Sequence, residues 1–431
     1  MKIVFLTAGT GSYYCGACMR DNALARELHH LGHDVTIAPM YLPLILDETT
    51  LDNSKDVPVF FGGINVYLQR RLAIFRRTPV WLHRLLNSTG LLKWAARHSH
   101  MTSARTHGEM MLDMLNVDTG PFRRELDKLL EWLTTVAQPD LVCLSNALLA
   151  GFTDELKRRL NAPVAVFFQG EDTFLDGLPE PYRTEAWAAL KRRLPAADLL
   201  IAPTRFYAGY MAPRLGLAAG SLAVVPNGIR LDGYTAADAA PNPPAIGYLA
   251  RMCRDKGLDL LIEAFIILAR DRGDRTTRLR IAGAATAGDE TFIAQQQQRL
   301  AAAGLADRAT WLPNVTREQK ITFLRGLTLF SVPTAYPEAF GLYVVEAMAC
   351  GVPVVQPDSA AFPEIVAATG GGVCVPPRDA AALAAAWRDL LADAPRREAL
   401  GRAGRLGVEK CFSAPTMAAD FLRATAHLAP A

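Results

Sequence analysis

Short apolar runs alternating with amphipathic stretches organise this chain. Residues 2–7, Lys-Ile-Val-Phe-Leu-Thr, form a nearly continuous apolar run, the pattern of a strand covered on both faces. A glycine-rich turn follows. Ala23, Leu24, Leu28 and Leu31 then recur at helical spacing and predict a helix over 19–31, stopped by Gly32. Residues 35–38 predict a second strand. Strand, turn, helix and strand make a βαβ opening. Its crossover puts the glycine-rich turn at the carboxyl edge of the sheet, where open α/β folds bind ligands.

The same rhythm continues. Further strands are predicted at 141–144, 164–168, 199–202 and 222–225, and Pro226-Asn227-Gly228 closes the first domain. Residues 229–244, rich in Ala, Pro and Asn, read as a linker. A second series opens at 245–249, with strands at 279–282, 309–312, 329–332, 352–355 and 372–375. The stretch 414–428 has the pattern of an amphipathic helix. Alternation of strand and helix in both halves predicts an α/β chain of two Rossmann-like domains with parallel sheets.

Composition narrows the class. A chain of 431 residues, half of them apolar, has material for two full cores. A formal net charge of +3 does not nominate nucleic acid as a partner. No apolar run reaches the roughly 18 residues of a membrane-spanning helix. The first apolar run breaks at Gly9 and Gly11, so it reads as a strand and not as a signal peptide. Seven cysteines without regular spacing fit a reducing cytoplasm. One stretch departs from the rhythm: 57–108 holds seven arginines and one lysine with no Asp or Glu, and includes Phe75, Trp81 and Trp94. Such a segment suits either peripheral contact with the inner membrane face or an anionic acceptor; it also suits an ordinary insertion whose charges pair elsewhere.

Candidate chemistry concentrates in Tyr336-Pro-Glu-Ala-Phe-Gly-Leu-Tyr-Val-Val-Glu-Ala-Met-Ala-Cys-Gly-Val-Pro-Val-Val355. A strand ends near Val332, a loop follows, and a short apolar helix over 341–349 is capped by Gly351. The helix N-terminus at Gly341 and Leu342 therefore sits at the carboxyl edge of a parallel sheet, where free backbone N–H groups and the helix dipole suit a phosphate. Glu338 lies just before that helix and Glu346 lies on it. Carboxylates are acceptor-only and suit sugar or ribose hydroxyls. A second motif, Arg251-Met-Cys-Arg-Asp-Lys256-Gly257, stands on the strand-to-helix loop after 246–249. Two fixed cations there can neutralise a departing pyrophosphate.

Residues 245–265 and 311–366 resemble the C-terminal half of the retaining glycosyltransferases of family 4, which have the GT-B fold. Glu338 and Glu346 match that family's Glu-x7-Glu signature, and Arg251 and Lys256 its Arg-x4-Lys pair. Gly16, Leu24-Ala25, Gly32-His33-Asp34-Val35 and Pro226-Asn227-Gly228 are similar to its N-terminal half. The resemblance implies two domains facing a cleft: 1–228 on the acceptor side, 229–412 binding a nucleotide sugar, and 413–431 crossing back to the first. It implies that Arg251 and Lys256 hold the donor diphosphate, with the Gly16 backbone approaching it. Glu338 would contact the transferred sugar, near the N–H groups of Phe340, Gly341 and Leu342. Glu346 would hold the ribose, and Val315 would lie by the base. Transfer would run from a nucleoside diphosphate sugar to the hydroxyl of a carbohydrate or lipid-linked acceptor, with retention. The donor is a substrate, and no cofactor is implied.

Some residues depart from the family. Where it often has His-Gly-x-Asp, this chain has Gln169-Gly-Glu-Asp172. Gln169 can bond a sugar hydroxyl but cannot titrate as an imidazole does. Glu171 and Asp172 could orient the acceptor hydroxyl, and a structural Gln-Gly turn is the other reading. The usual Asp after Asn-Gly-x is Arg230. Cys15-Gly-Ala-Cys18 supplies only two of the four ligands a structural zinc takes, so redox control, a metal or plain packing stay open. The chain has no Asp-x-Asp, the spacing with which GT-A transferases hold a metal, so no metal is expected. Gly9-Thr-Gly11-Ser-Tyr-Tyr14 lacks the third glycine of a dinucleotide fingerprint, which disfavours an oxidoreductase. A GT-B nucleotide-sugar epimerase and a non-catalytic sugar-nucleotide-binding protein are the remaining alternatives.

Overall fold

A computed structural model describes residues 1–9, 16–41, 57, 59–61, 104–237, 239, 241–270 and 276–428. Cys15, Phe75, Trp81, Trp94 and nearly all of the basic stretch 57–108 lie outside the described residues. The chain divides into two compact units, Met1–Val225 with Met417–Ala431, and Pro226–Thr416.

The first unit holds a six-stranded parallel sheet of β1 (Lys2–Thr7), β2 (Asp34–Pro39), β3 (Leu141–Leu144), β4 (Val164–Phe167), β5 (Leu199–Ala202) and β6 (Leu222–Val224), in the order β2-β1-β3-β4-β5-β6. The near-continuous apolar runs are explained by burial: β3 and β4 are buried at every position. Helix α1 spans Gly16–His30, starting earlier than the apolar spacing indicates, because Arg20, Asp21 and Asn22 are buried polar residues that periodicity does not count. The terminal segment packs on this sheet, with the Phe421 ring 6.2 Å from Phe5 and 5.9 Å from Phe167.

The second unit holds β7 (Ala245–Leu249), β8 (Arg278–Gly283), β9 (Ala309–Pro313), β10 (Leu329–Phe330), β11 (Val354–Pro357) and β12 (Gly372–Val375), all parallel, in the order β12-β11-β10-β7-β8-β9. Strand order reverses between β7 and β10, the place where open parallel sheets bind ligands beyond the carboxyl ends of their strands. The loop after β7 carries Arg251 and Lys256; the loop after β10 carries Glu338. The stretch 229–244 is not a plain linker. Ile229 pairs with Ser413, its N–H bonding Phe412 O at 2.9 Å, and Tyr234 is only 2 % exposed.

Close backbone contacts weld the loops of the second unit together. Gly257 has φ +70°, and a Cβ there would lie 1.7 Å from the carbonyl oxygen of Pro333. Ala335 N donates to Asp255 O at 2.9 Å across the same seam. The loop after β10 is held from beneath by the buried Trp387, whose Nε1 donates to Ser331 Oγ at 2.9 Å, and by Gln356 Oε1, which accepts from Val332 N. Gly304 also has φ +70°, but nothing lies within 4 Å of its added Cβ. Both glycines carry the left-handed penalty of about 1–2 kcal/mol for an L-residue, and only Gly257 adds a clash with main chain. Urea unfolding should therefore show Gly304→Ala losing about 1 kcal/mol and Gly257→Ala clearly more. Equal losses would mean that the seam between the two loops is not close.

Candidate functional site

Both motif loops of the second unit reach the same place. Lys256 Nζ donates to Glu338 Oε2 at 2.6 Å and also bonds the Tyr336 hydroxyl. Glu338 Oε2 takes two further bonds, from Tyr336 Oη at 3.0 Å and Tyr343 Oη at 2.6 Å. Three donors thus converge on one carboxylate oxygen, while Oε1 keeps its acceptor capacity among the described residues. Lys256 and Glu338 side chains are 20 % and 12 % exposed. Burial pushes the Glu338 carboxyl up, but the Lys256 charge and the hydrogen bonds from Lys256, Tyr343 and Tyr336 together hold it below its ordinary value.

Arg251 is held from the next strand over. Its Nε and Nη2 donate to the two oxygens of Asp289 at 3.1 and 3.0 Å. Asp289 is itself fixed by the backbone N–H and hydroxyl of Thr286, at 3.0 and 2.6 Å, in a capping box. This hydrogen-bonded pairing raises the Arg251 pKa further, so the guanidinium is a permanent charge. Its side chain stays 55 % exposed, with Nη1 left to donate. The edge is closed by Asn314, in a left-handed turn at φ 54°, whose amide bonds Ala285 N and O at 3.1 and 3.2 Å. Val315 follows it, partly buried.

Helix α5 (Leu342–Ala349) starts from Gly341, whose φ of 93° only glycine adopts without strain. Among the described residues no side chain caps it, which leaves the N–H groups of its first turn, just after Glu338, open to an anion. Phe340 is buried, its ring 5.6 Å from Phe412. Glu346 is 5 % exposed and is held by donors the sequence reading did not single out: Lys320 Nζ and Tyr234 Oη, each 2.7 Å from Oε1.

The first unit carries its own polar cluster at the carboxyl edge. Arg20 on α1 is 1 % exposed, pairs with Asp21 at 2.9 Å and donates to Ser145 O at 3.0 Å. Its guanidinium stacks 3.9 Å over the Phe167 ring. With its oxygen facing Arg20, the Gln169 amide accepts from Nη2 at 2.6 Å and Nε at 3.2 Å. Glu171 does not point outward to an acceptor. Its carboxylate takes the N–H groups of Gln169, Gly170 and Ala147, stapling the turn after β4. Asp172 is 2 % exposed and accepts from Tyr207 Oη at 2.6 Å, which ties it inward. Burial raises both carboxyls above their usual values. Gly16 is the first residue of α1 and is exposed. Cys18 is buried, with Sγ 3.7 Å from Thr7 Oγ1. Arg230 pairs with Asp232 at 2.6 Å.

Periodicity could not find Tyr234, Asp289, Lys320, Tyr336 and Tyr343, because each acts by filling a carboxylate or guanidinium edge already chosen by a motif. Only Asp289 had a local signal, the Thr-x-x-Asp capping spacing.

The depressed Glu338 pKa has a signed consequence. Its stabilising share is fully present above the ordinary 4.5 and is lost as pH falls through the lower folded value. In Lys256→Met the charge and hydrogen bond of Lys256 are lost while burial remains, so the carboxyl moves up from its wild-type position and its ionisation stabilises the fold less. The stability gap between wild type and variant should be widest near neutrality and shrink on acidification. Unfolding free energies by urea between about pH 3 and 7 measure it; a gap independent of pH would assign Lys256 to packing alone.

Comparison with known proteins agrees with these features. Residues 236–407 match the family described as glycosyl transferases group 1, and 105–232 match Glycosyltransferase Family 4. Among curated proteins, the lipopolysaccharide core biosynthesis mannosyltransferase LpsB of Rhizobium meliloti is 35 % identical over 177 residues, 40 % of this chain and 48 % of that protein. The chain spans about half the length of the curated relatives it matches. Among solved structures, sucrose-phosphate synthase from Thermosynechococcus elongatus aligns with a TM-score of 0.72 and 18 % identity over 99 % of both chains. Anabaena HepE, solved in complex with UDP, aligns with a TM-score of 0.68 and 16 % identity over 99 % of this chain and 100 % of that one. With its two six-stranded parallel sheets and both matched regions, this chain belongs to glycosyltransferase family 4 and has the GT-B fold.

Proposed function

We propose that this protein transfers a sugar from a nucleoside diphosphate sugar to an acceptor hydroxyl, with retention and without a metal. The observation that carries the reading is the convergence of Lys256, Glu338 and the uncapped start of α5 on one crevice edge. A diphosphate needs fixed positive charge and N–H donors. Lys256 has three donors with two engaged, Arg251 keeps Nη1, and α5 offers its first-turn N–H groups. These groups are in place before the bond breaks, so they stabilise the charge that builds on the leaving phosphate without reorganising. The two basic side chains do what a divalent ion does elsewhere, and the sequence has no Asp-x-Asp to hold one.

The remaining roles are carried over from the family resemblance. Glu338 Oε1 accepts from a hydroxyl of the transferred sugar, Glu346 binds the ribose diol, and Val315 lies by the base. Gln169, its oxygen held by Arg20, offers its amide N–H groups to a sugar hydroxyl. A nucleoside diphosphate is already a good leaving group, so no protein general acid is needed. The C–O bond to phosphate breaks, the acceptor oxygen attacks the same face, and its proton passes to the departing phosphate oxygen. Retention rests on family membership. The acceptor is a carbohydrate or a lipid-linked sugar; the relative LpsB is named for lipopolysaccharide core synthesis. No described helix is long and apolar enough to cross a membrane.

A thermal-shift panel of nucleotide sugars identifies the donor, since a ligand that binds only the folded state raises Tm by mass action. With that donor, Lys256→Ala and Arg251→Ala should each lower kcat about 10²–10³-fold, the cost of a lost transition-state donor. Glu338→Gln should fall less, because an amide still meets a hydroxyl. Unaltered turnover in Lys256→Ala refutes the assignment.

A further inference from the structure

Both carboxylates of the Glu-x7-Glu pair are gripped by one oxygen. For Glu338 the grip comes from the two motifs, through Lys256 of the Arg-x4-Lys pair and through Tyr336 and Tyr343. For Glu346 it comes from outside the motif. Lys320 lies on α4 (Arg317–Arg325), and Tyr234 lies in the stretch just after the start of the second unit. We infer that Lys320 and Tyr234 are positioning residues of the nucleotide site, which fix Glu346 by Oε1 and present Oε2 to the ribose. This rests on the reading that Glu346 binds the ribose.

Geometry makes the case. Both donors are 2.7 Å from the same oxygen, and Oε2 has no donor among the described residues. The Lys320 and Glu346 side chains are 11 % and 7 % exposed, so their charges are largely withdrawn from water. A buried ion pair contributes little net stability against apolar residues of similar size, so stability does not account for a lysine here. Tyr234 is itself held by two arginines. Arg317 stacks 5.4 Å from its ring and donates to Asp232 O at 2.8 Å, and Arg405 on helix α6 (Ala394–Cys411) bonds the carbonyls of Tyr234 and Ala349. One guanidinium thus ties the tyrosine's main chain to the C-terminal end of α5. The hydroxyl is aimed by its backbone, as a positioning group must be. Lys320 also stands on the helix that directly follows Asn314 and Val315, so the loop proposed for the base and the carboxylate proposed for the ribose share one support.

Calorimetric titration with UDP and GDP, and with their 2′,3′-dideoxy counterparts, tests this. The wild type should prefer the ribose form of its nucleotide by about tenfold, the worth of a charge-assisted hydrogen bond. In Lys320→Met that preference should collapse towards parity, with affinity for the dideoxy form little changed. Tyr234→Phe should shift it the same way by a smaller factor, and it carries the test if Lys320→Met does not fold. In steady-state assays the loss should enter KM and not kcat. Variants that keep the full wild-type preference overturn the inference and leave the ribose reading intact. A wild type that binds UDP or GDP without distinguishing the ribose overturns the ribose reading itself. A wild type that binds neither nucleotide removes both.

Discussion

Lys256 and Glu338 are 82 residues apart in sequence and 2.6 Å apart in space, and the rest of the candidate site is arranged around that pair. The pair lies where strand order reverses between β7 and β10, and the loops leaving these two neighbouring strands run side by side. It is held because the main chain at Gly257 lies against Pro333 so closely that no side chain fits. The constraint is steric before it is electrostatic. A parallel sheet sets the spacing, a glycine permits the approach, and the charges then meet at a distance the fold has already fixed.

A second theme is economy of acceptors. A carboxylate wholly consumed by protein donors is structural, and one with none is free to rotate and costly to bury. Glu338 and Glu346 lie between these limits: among the described residues each is anchored through one oxygen, with the other left to accept. Arg251 repeats the pattern with its sign reversed: Asp289 takes Nε and Nη2, and Nη1 remains to donate. Fixed groups with spare hydrogen-bonding capacity bind a polar ligand with little ordering cost, and polarity and specificity enter together. By contrast, Glu171 spends both oxygens on backbone N–H groups and serves the turn that carries Gln169.

Much of this was legible in the sequence because it rests on local rules. The buried runs at 2–7, 141–144 and 245–249 read as parallel strands, since both faces are covered and no alternation is needed. The helix start at Leu342 followed from a glycine placed before an apolar stretch. Other features were not local. The start of α1 at Gly16 was missed because Arg20, Asp21 and Asn22 are buried through polar contacts, which hydrophobic spacing cannot register. Residues 229–244 read as linker by composition, yet Ile229 pairs with Ser413 and the Tyr234 hydroxyl reaches Glu346. Asp172 looked available for an acceptor and is instead bonded to Tyr207, a contact across 35 residues that no window of sequence contains.

In the proposed function one diphosphate is held jointly by the loop of Arg251 and Lys256 and by the start of α5 after Glu338. A crystal structure with UDP or GDP bound should then show phosphate oxygens within hydrogen-bond distance of both Lys256 Nζ and the backbone N–H groups at Gly341 or Leu342, with Arg251 Nη1 turned to the same anion. A nucleotide seated elsewhere, with the Lys256–Glu338 pair facing no phosphate, contradicts it.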